Sequence, residues 1–535
     1  MHQGERRQLS ALPLPGASAR RAKFWRLFVI YLALGLTCAW LSQWLPVAEA
    51  GKRMATRIWG PVLTDSYPTT GRDQVTVMLI DDKDLREYGE VWPVSLGFHE
   101  RRLLELLKYR PKAVFFDIVF LDDRKDPDLA GFIDAACKAR QAGVPVFVGS
   151  FGNAGFTPSR TEAAMLARRV TLDGRMAPCI EAAYLNLRID GYDQSVWEYD
   201  VDVPAQPVGG LAPAAVQRFP SPAARLYQVD HRLDPHVAAE PMALVWGTAS
   251  DPRNLEWLNS DLRPGGPGPA CSASWEWTRV LPVGKAAAPI CPYQQLLPIR
   301  TLKRTHGLDS QQLDEAIRNK YIIYGTHLQS NGDVILAPYH GRIAGAFLHA
   351  MALDNLLSFD GAPKAGGDFG QPWFGAASGF TLFAVAVISA LIAAKNAFEI
   401  PAALRSRASG WLSAWQPGTV FPGQALPRAV GGQLALGAKH LLLWLIPQAL
   451  VGVAYFVAIA ILVPVSYFLL KLGPLVWIEF VLFPIGMDFL QLGDKADEWR
   501  AQATQYLRGI GQAIRAPRSE AADILAKSSH EDASV

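Results

Sequence analysis

Apolar and polar positions divide the chain into two kinds of segment. Four long apolar runs stand out, at 24–45, 373–394, 441–465 and 472–490. About 20 apolar residues in a helix cross a hydrocarbon core of roughly 30 Å, so each run is predicted to be a transmembrane α-helix, one N-terminal and three C-terminal. Between the first two runs, short β-branched stretches alternate with helical ones. Residues 75–80, 113–120, 144–149 and 320–325 read as buried strands, and 97–109, 129–142 and 343–357 as helices. Such alternation predicts an α/β domain, a mostly parallel sheet with flanking helices. Residues 201–299 hold 15 of the 38 prolines, which predicts a Pro-rich irregular insertion over about 150–319.

Charge orients these pieces. The 52 Lys and Arg nearly balance the 49 Asp and Glu, for a net charge of +3, so no bulk field exists to gather nucleic acid and none is expected as a partner. The basic N-terminus 1–23 and the loop 395–440, with Lys395, Arg405, Arg407, Arg428 and Lys439, belong on the cytoplasmic side by the positive-inside rule. Four spans then place 46–372 outside and the tail 493–535 inside, with both termini cytoplasmic and membrane lipid as a partner. Cys137, Cys179, Cys271 and Cys291 all fall in the exterior segment, an even number in an oxidising compartment. Cys271 with Cys291 and Cys137 with Cys179 are the candidate disulfides, buried free thiols the alternative.

The motifs Ile80-Asp81-Asp82, Trp92-Pro93, His99 opening a helix, and Phe116-Asp117-Ile118-Val119-Phe120 follow one another in the first half of the domain. Tyr324-Gly325, Asp333, Pro338 and Gly345-Ala346-Phe347-Leu348-His349-Ala350 close it. In this order the chain resembles the second type of CHASE domain, the cyclase- and histidine-kinase-associated extracellular sensory module of bacteria. It departs from that pattern at Ala337-Pro338, where Thr-Pro is common, and at Ala344-Gly345, where Pro-Gly is common. The resemblance implies a periplasmic sensory domain over 46–372, held in the bacterial inner membrane by one span before it and three after. The 43 residues from 493 onward are too few for a catalytic effector, so a stand-alone form is expected. Its separate cytoplasmic effector would engage 493–535 and the loop 395–440, and receptor analogy adds a homo-oligomer.

Asp81, Asp82 and Asp117 end predicted parallel strands, where open α/β sheets place their ligand crevice. With Trp92, His99, Asp333 and His349 they form the candidate ligand-binding set, whose metal is left open. The alternative is structural: Asp81 and Asp117 cap helices, and His349 is a satisfied core histidine. No phosphate loop, nucleophile elbow or His-Glu-x-x-His motif is present, so no catalytic residue and no cofactor is expected. Glu479, inside the last apolar run, is a polar group in a costly place. The sequence therefore predicts a membrane signal-input protein. A scaffolding subunit is the second reading and a periplasmic metal-dependent enzyme built on the Asp cluster the third.

Overall fold

A computed structural model describes residues 17–42, 60–61, 63–64, 67–121, 126–151, 158–191, 193–204, 218–239, 241–254, 271–272, 290–303, 310–329, 333–364, 376–397, 452–465 and 485. The chain forms two units, one of 1–48, 372–465 and 477–535, the other of 49–371 and 466–476.

The first unit is helical. Leu27 and Tyr31, one turn apart on the helix Ala17–Ser42, are buried, as are Ala384, Val385, Ile388 and Ile392 of the helix Ala376–Ala397. Asn396 Nδ2 donates to the Tyr31 hydroxyl at 3.4 Å, tying these two helices together. Among the described residues no helix is long and apolar enough to cross a membrane, which corrects the expectation of four transmembrane helices. Arg20, Arg21, Lys23 and Arg26 occupy the first ten of the 26 positions of Ala17–Ser42. Of the expected loop 395–440 the first three residues continue the helix Ala376–Ala397, and the rest of that loop, the expected span 472–490 with Glu479 and the tail 493–535 lie outside the described residues, position 485 excepted.

The second unit is a three-layer α/β fold. Its sheet has six parallel strands, β1 (Val75–Asp81), β2 (Ala113–Val119), β3 (Val146–Phe151), β4 (Glu181–Leu185), β5 (Gln295–Pro298) and β6 (Tyr321–His327). They lie in the order β5-β1-β6-β2-β3-β4. Every residue of β1 is buried, as expected of a central parallel strand covered on both faces. On one face Met78, Ile80, Val114, Phe116, Val148 and Tyr324 meet the helices α2 (Leu96–Leu107), α3 (Leu129–Gln141) and α6 (Ser310–Ile317), all of which follow α1 (Asp82–Tyr88) in the chain. On the other face α7 (Ala346–Ser358) packs on β1 and β6, with α5 (Pro222–Tyr227) beside it. Helix α4 (Arg160–Ala167) contributes Met165 to the first face.

The strands expected at 75–80, 113–120, 144–149 and 320–325 are present within two residues of those bounds. Strands β4 and β5 come from the stretch 150–319 and carry no strong sequence signal. They are the sheet edges, one beginning at Glu181 and the other four residues long and ending at Pro298, a residue that edge strands tolerate. Cys137 on α3 is bonded to Cys179 just before β4, with Cα atoms 4.5 Å apart, and Cys271 to Cys291 at 4.9 Å. Loop closure over 42 and 20 residues of separation stabilises such a fold by about 3–4 kcal/mol per bridge.

Candidate functional site

The sheet opens at one place. The β6–β2 ladder ends at Tyr324 beside Phe116, and β2 meets β3 at Phe116 opposite Val148 and next at Val119 opposite Gly149. Asp117 and Ile118 are therefore unmatched on either side, a bulge of the kind that re-aims side chains beside binding sites. Gly149 permits it: a Cβ there would stand 3.2 Å from the Ile118 carbonyl oxygen.

Over this bulge lies a cavity of about 220 Å³ lined by Trp92, Pro93, Val94, Leu96, His99, Ile118, Val119, Phe120, Leu121, Asp126 and Thr161. Two of the sequence candidates, Trp92 and His99, belong to it. His99 is placed by α2, whose N-terminus is capped by Ser95 Oγ, which accepts from Phe98 N–H at 3.2 Å. The Leu96 N–H at the same end donates to Asp126 Oδ2 at 2.8 Å. The imidazole sits among Phe98, Phe116, Phe120 and Phe132, with Nδ1 3.2 Å from the Tyr324 hydroxyl. Burial pushes its pKa down to about 3, so the ring is neutral at physiological pH.

Asp81 stands apart as the cap of α1. Its Oδ1 accepts from Lys83 N–H and Asp84 N–H, both at 2.8 Å, while Asp84 accepts from the Asp81 N–H in return, a reciprocal capping box. Arg300 completes the group: its guanidinium lies 2.7 Å from Asp81 and 3.2 Å from Asp84, all three buried. Burial first, and the neighbouring Asp81 second, raise Asp84 to about 7. Asp82 points elsewhere and accepts from Gln329 N–H at 3.0 Å.

Asp117, Asp333 and His349 meet on the opposite face of the sheet from His99. His349 Nε2 lies 3.5 Å from Asp117 Oδ1, and Nδ1 is 2.9 Å from the Tyr199 hydroxyl. Burial and the Asp117 charge raise Asp333 to about 7, opposed by His349 and a hydrogen bond with Thr326. Gly345 makes room for that carboxylate, since a Cβ there would run into it. Among the described residues no group of three or more His, Cys, Asp or Glu has the geometry to hold a metal.

The seven candidates thus separate into a helix cap (Asp81, with Asp82 beside it), a buried polar cluster (Asp117, Asp333, His349) and a cavity (Trp92, His99). The sequence reading missed Asp126, Thr161, Phe120 and Ile118 as cavity residues and Arg300 and Tyr199 as partners. Phe120 and Ile118 were visible only as strand residues, and the bulge that turns them to the cavity has no sequence mark. Asp126-Pro127-Asp128 ahead of a helix was a legible capping signal.

The comparison with known families decides what this fold is: the CHASE2 domain matches residues 31–391. The chain belongs to the CHASE2 family. That family is one of extracellular sensory domains rather than catalytic ones, and the two disulfides fit such a domain. No curated protein and no solved structure matches the chain. Within this CHASE2 domain the cavity over the β2 bulge lies at the carboxyl ends of parallel strands, where α/β folds bind their ligands.

Proposed function

We infer that the CHASE2 unit is an extracellular sensor that takes a small ligand into the cavity beside His99 and relays occupancy to a second protein. The observation that carries this reading is the coincidence of the cavity with the break in both ladders of β2. A strand held by neither neighbour at Asp117 and Ile118 moves at lower cost than one fully paired.

Ile118 faces the cavity and Asp117, the next residue, faces His349 on α7. A ligand that displaces Ile118 therefore displaces Asp117 against α7. At the far end of that helix Asp354 accepts from the Tyr67 hydroxyl at 2.8 Å, from Ser358 Oγ at 2.9 Å and from Gln294 Nε2 at 3.1 Å. Tyr67 belongs to the segment leading into the first strand, so α7 links Asp117, on the face of β2 away from the cavity, to the point where the chain enters the domain. The relay needs two arrangements of this chain of contacts, biased by the ligand.

The test is thermal melting of the full-length chain against a panel of small metabolites, in wild type and in Ile118→Trp, whose indole fills the cavity. Compounds that raise the wild-type midpoint and leave Ile118→Trp unmoved support the reading. Equal shifts in both proteins, or no shift in either, overturn it.

A further inference from the structure

This inference rests on the cavity being the sensory site and names the chemistry of its ligand. Trp92 and Phe120 supply aromatic rings and His99 an imidazole that burial keeps neutral. Among the described residues Asp126 is the one charged side chain on the lining, and each of its oxygens takes one backbone donor from among them, Asp128 N–H at 2.9 Å and Leu96 N–H at 2.8 Å. A carboxylate oxygen accepts about two hydrogen bonds, so one acceptor site on each remains for a ligand. Outside lies an open depression of about 580 Å³ that shares Pro93 and Asp126 with the cavity and brings Glu90 and Asp128 to its mouth. Glu90 is paired with Arg101 at 3.4 Å, so among the described residues Asp126 and Asp128 are the carboxylates at the mouth outside an ion pair.

We propose that the cavity takes a small organic ammonium ion, its cationic head against Asp126 and the aromatic rings and its apolar part against Ile118. An anion would meet the Asp126 and Asp128 carboxylates at the entrance, and a metal ion would find one carboxylate and no second ligand of its kind on the lining. Aromatic faces attract organic cations through the ring quadrupole. A volume of 220 Å³ corresponds to about seven waters at roughly 30 Å³ each, a ligand of about seven non-hydrogen atoms.

Choline and its uncharged isostere 3,3-dimethyl-1-butanol are matched probes of that size. Calorimetric titration of the full-length chain is expected to find choline bound at least about tenfold more tightly than the isostere. Asp126→Asn removes that preference, and Trp92→Leu weakens choline with an unchanged melting midpoint in the absence of ligand. Equal binding of the two probes, both lost in Ile118→Trp, overturns the ammonium assignment and leaves the cavity as the site. Choline bound by Ile118→Trp as by wild type overturns both. Absence of choline binding to wild type at millimolar concentration overturns the ammonium assignment.

Discussion

Arg300 holds two buried carboxylates that would otherwise repel each other across the capping box of Asp81 and Asp84. Arg300→Met keeps an unbranched apolar stem and removes the guanidinium and its charge, leaving that pair uncompensated in a buried site. A loss of about 3–5 kcal/mol is expected in urea unfolding, and a loss under 1 kcal/mol would show that the pair is not held by Arg300. Asp354 titrates differently from an ordinary carboxylate because burial raises it to about 7, against the donors Tyr67, Ser358 and Gln294 that favour its ionised form. Unfolded, it titrates near 4, so between about 4 and 7 the folded state holds a proton that the unfolded state lacks. Its contribution to stability is complete below about 4 and is lost as pH rises through 7. Asp354→Asn cannot titrate, so wild type is expected to lose stability relative to this variant between pH 5 and pH 8. Equal pH dependence in the two would contradict the assignment, and the difference cancels the opposing trend of the buried His99, His327 and His340. At this scale the sequence was half legible. Asp81 at a strand end read correctly as a possible helix cap, but its partner Arg300 lies 219 positions away, and no local pattern announces a long-range ion pair.

Helix α7 lies directly on the sheet because Gly325 of β6 has no side chain: a Cβ there would stand 2.8 Å from Ala346 Cβ. Gly325→Ala is expected to push the helix outward and to destabilise the domain by about 1–3 kcal/mol, read from the denaturation midpoint. An unchanged midpoint would mean that the sheet relaxes freely at this contact. Central strands were readable from sequence since burial on both faces imposes a continuous apolar run on them, as in Val75–Asp81. The edge strand Glu181–Leu185 is only partly buried and escapes that constraint, while Gln295–Pro298 is buried throughout but only four residues long and bounded by Gln295 and Pro298, too short to show a run. The bulge at Asp117 and Ile118 was hidden for another reason. It is a mismatch between two strands, a property of the pairing and absent from either strand alone.

At the level of the molecule, hydropathy overstated the helices and the motif order identified the sensory unit. Ala17–Ser42 carries Arg20, Arg21, Lys23 and Arg26 within its first ten positions, and among the described residues no helix is long and apolar enough to cross a membrane. The Trp92-Pro93, Asp117, Asp333 and Gly345 landmarks, by contrast, each hold a position in the fold: a cavity wall, a strand break, a buried carboxylate and the glycine that accommodates it. The central claim is that ligand enters at the β2 bulge on the α2 face, and hydrogen–deuterium exchange of the full-length chain tests it most directly. With the most stabilising compound of the metabolite panel bound, exchange is expected to slow in 92–99, in 118–121 and around Thr161, with a smaller change along α7. Slowing confined to α7 and its Asp117 cluster, or spread evenly over the domain, would contradict that account.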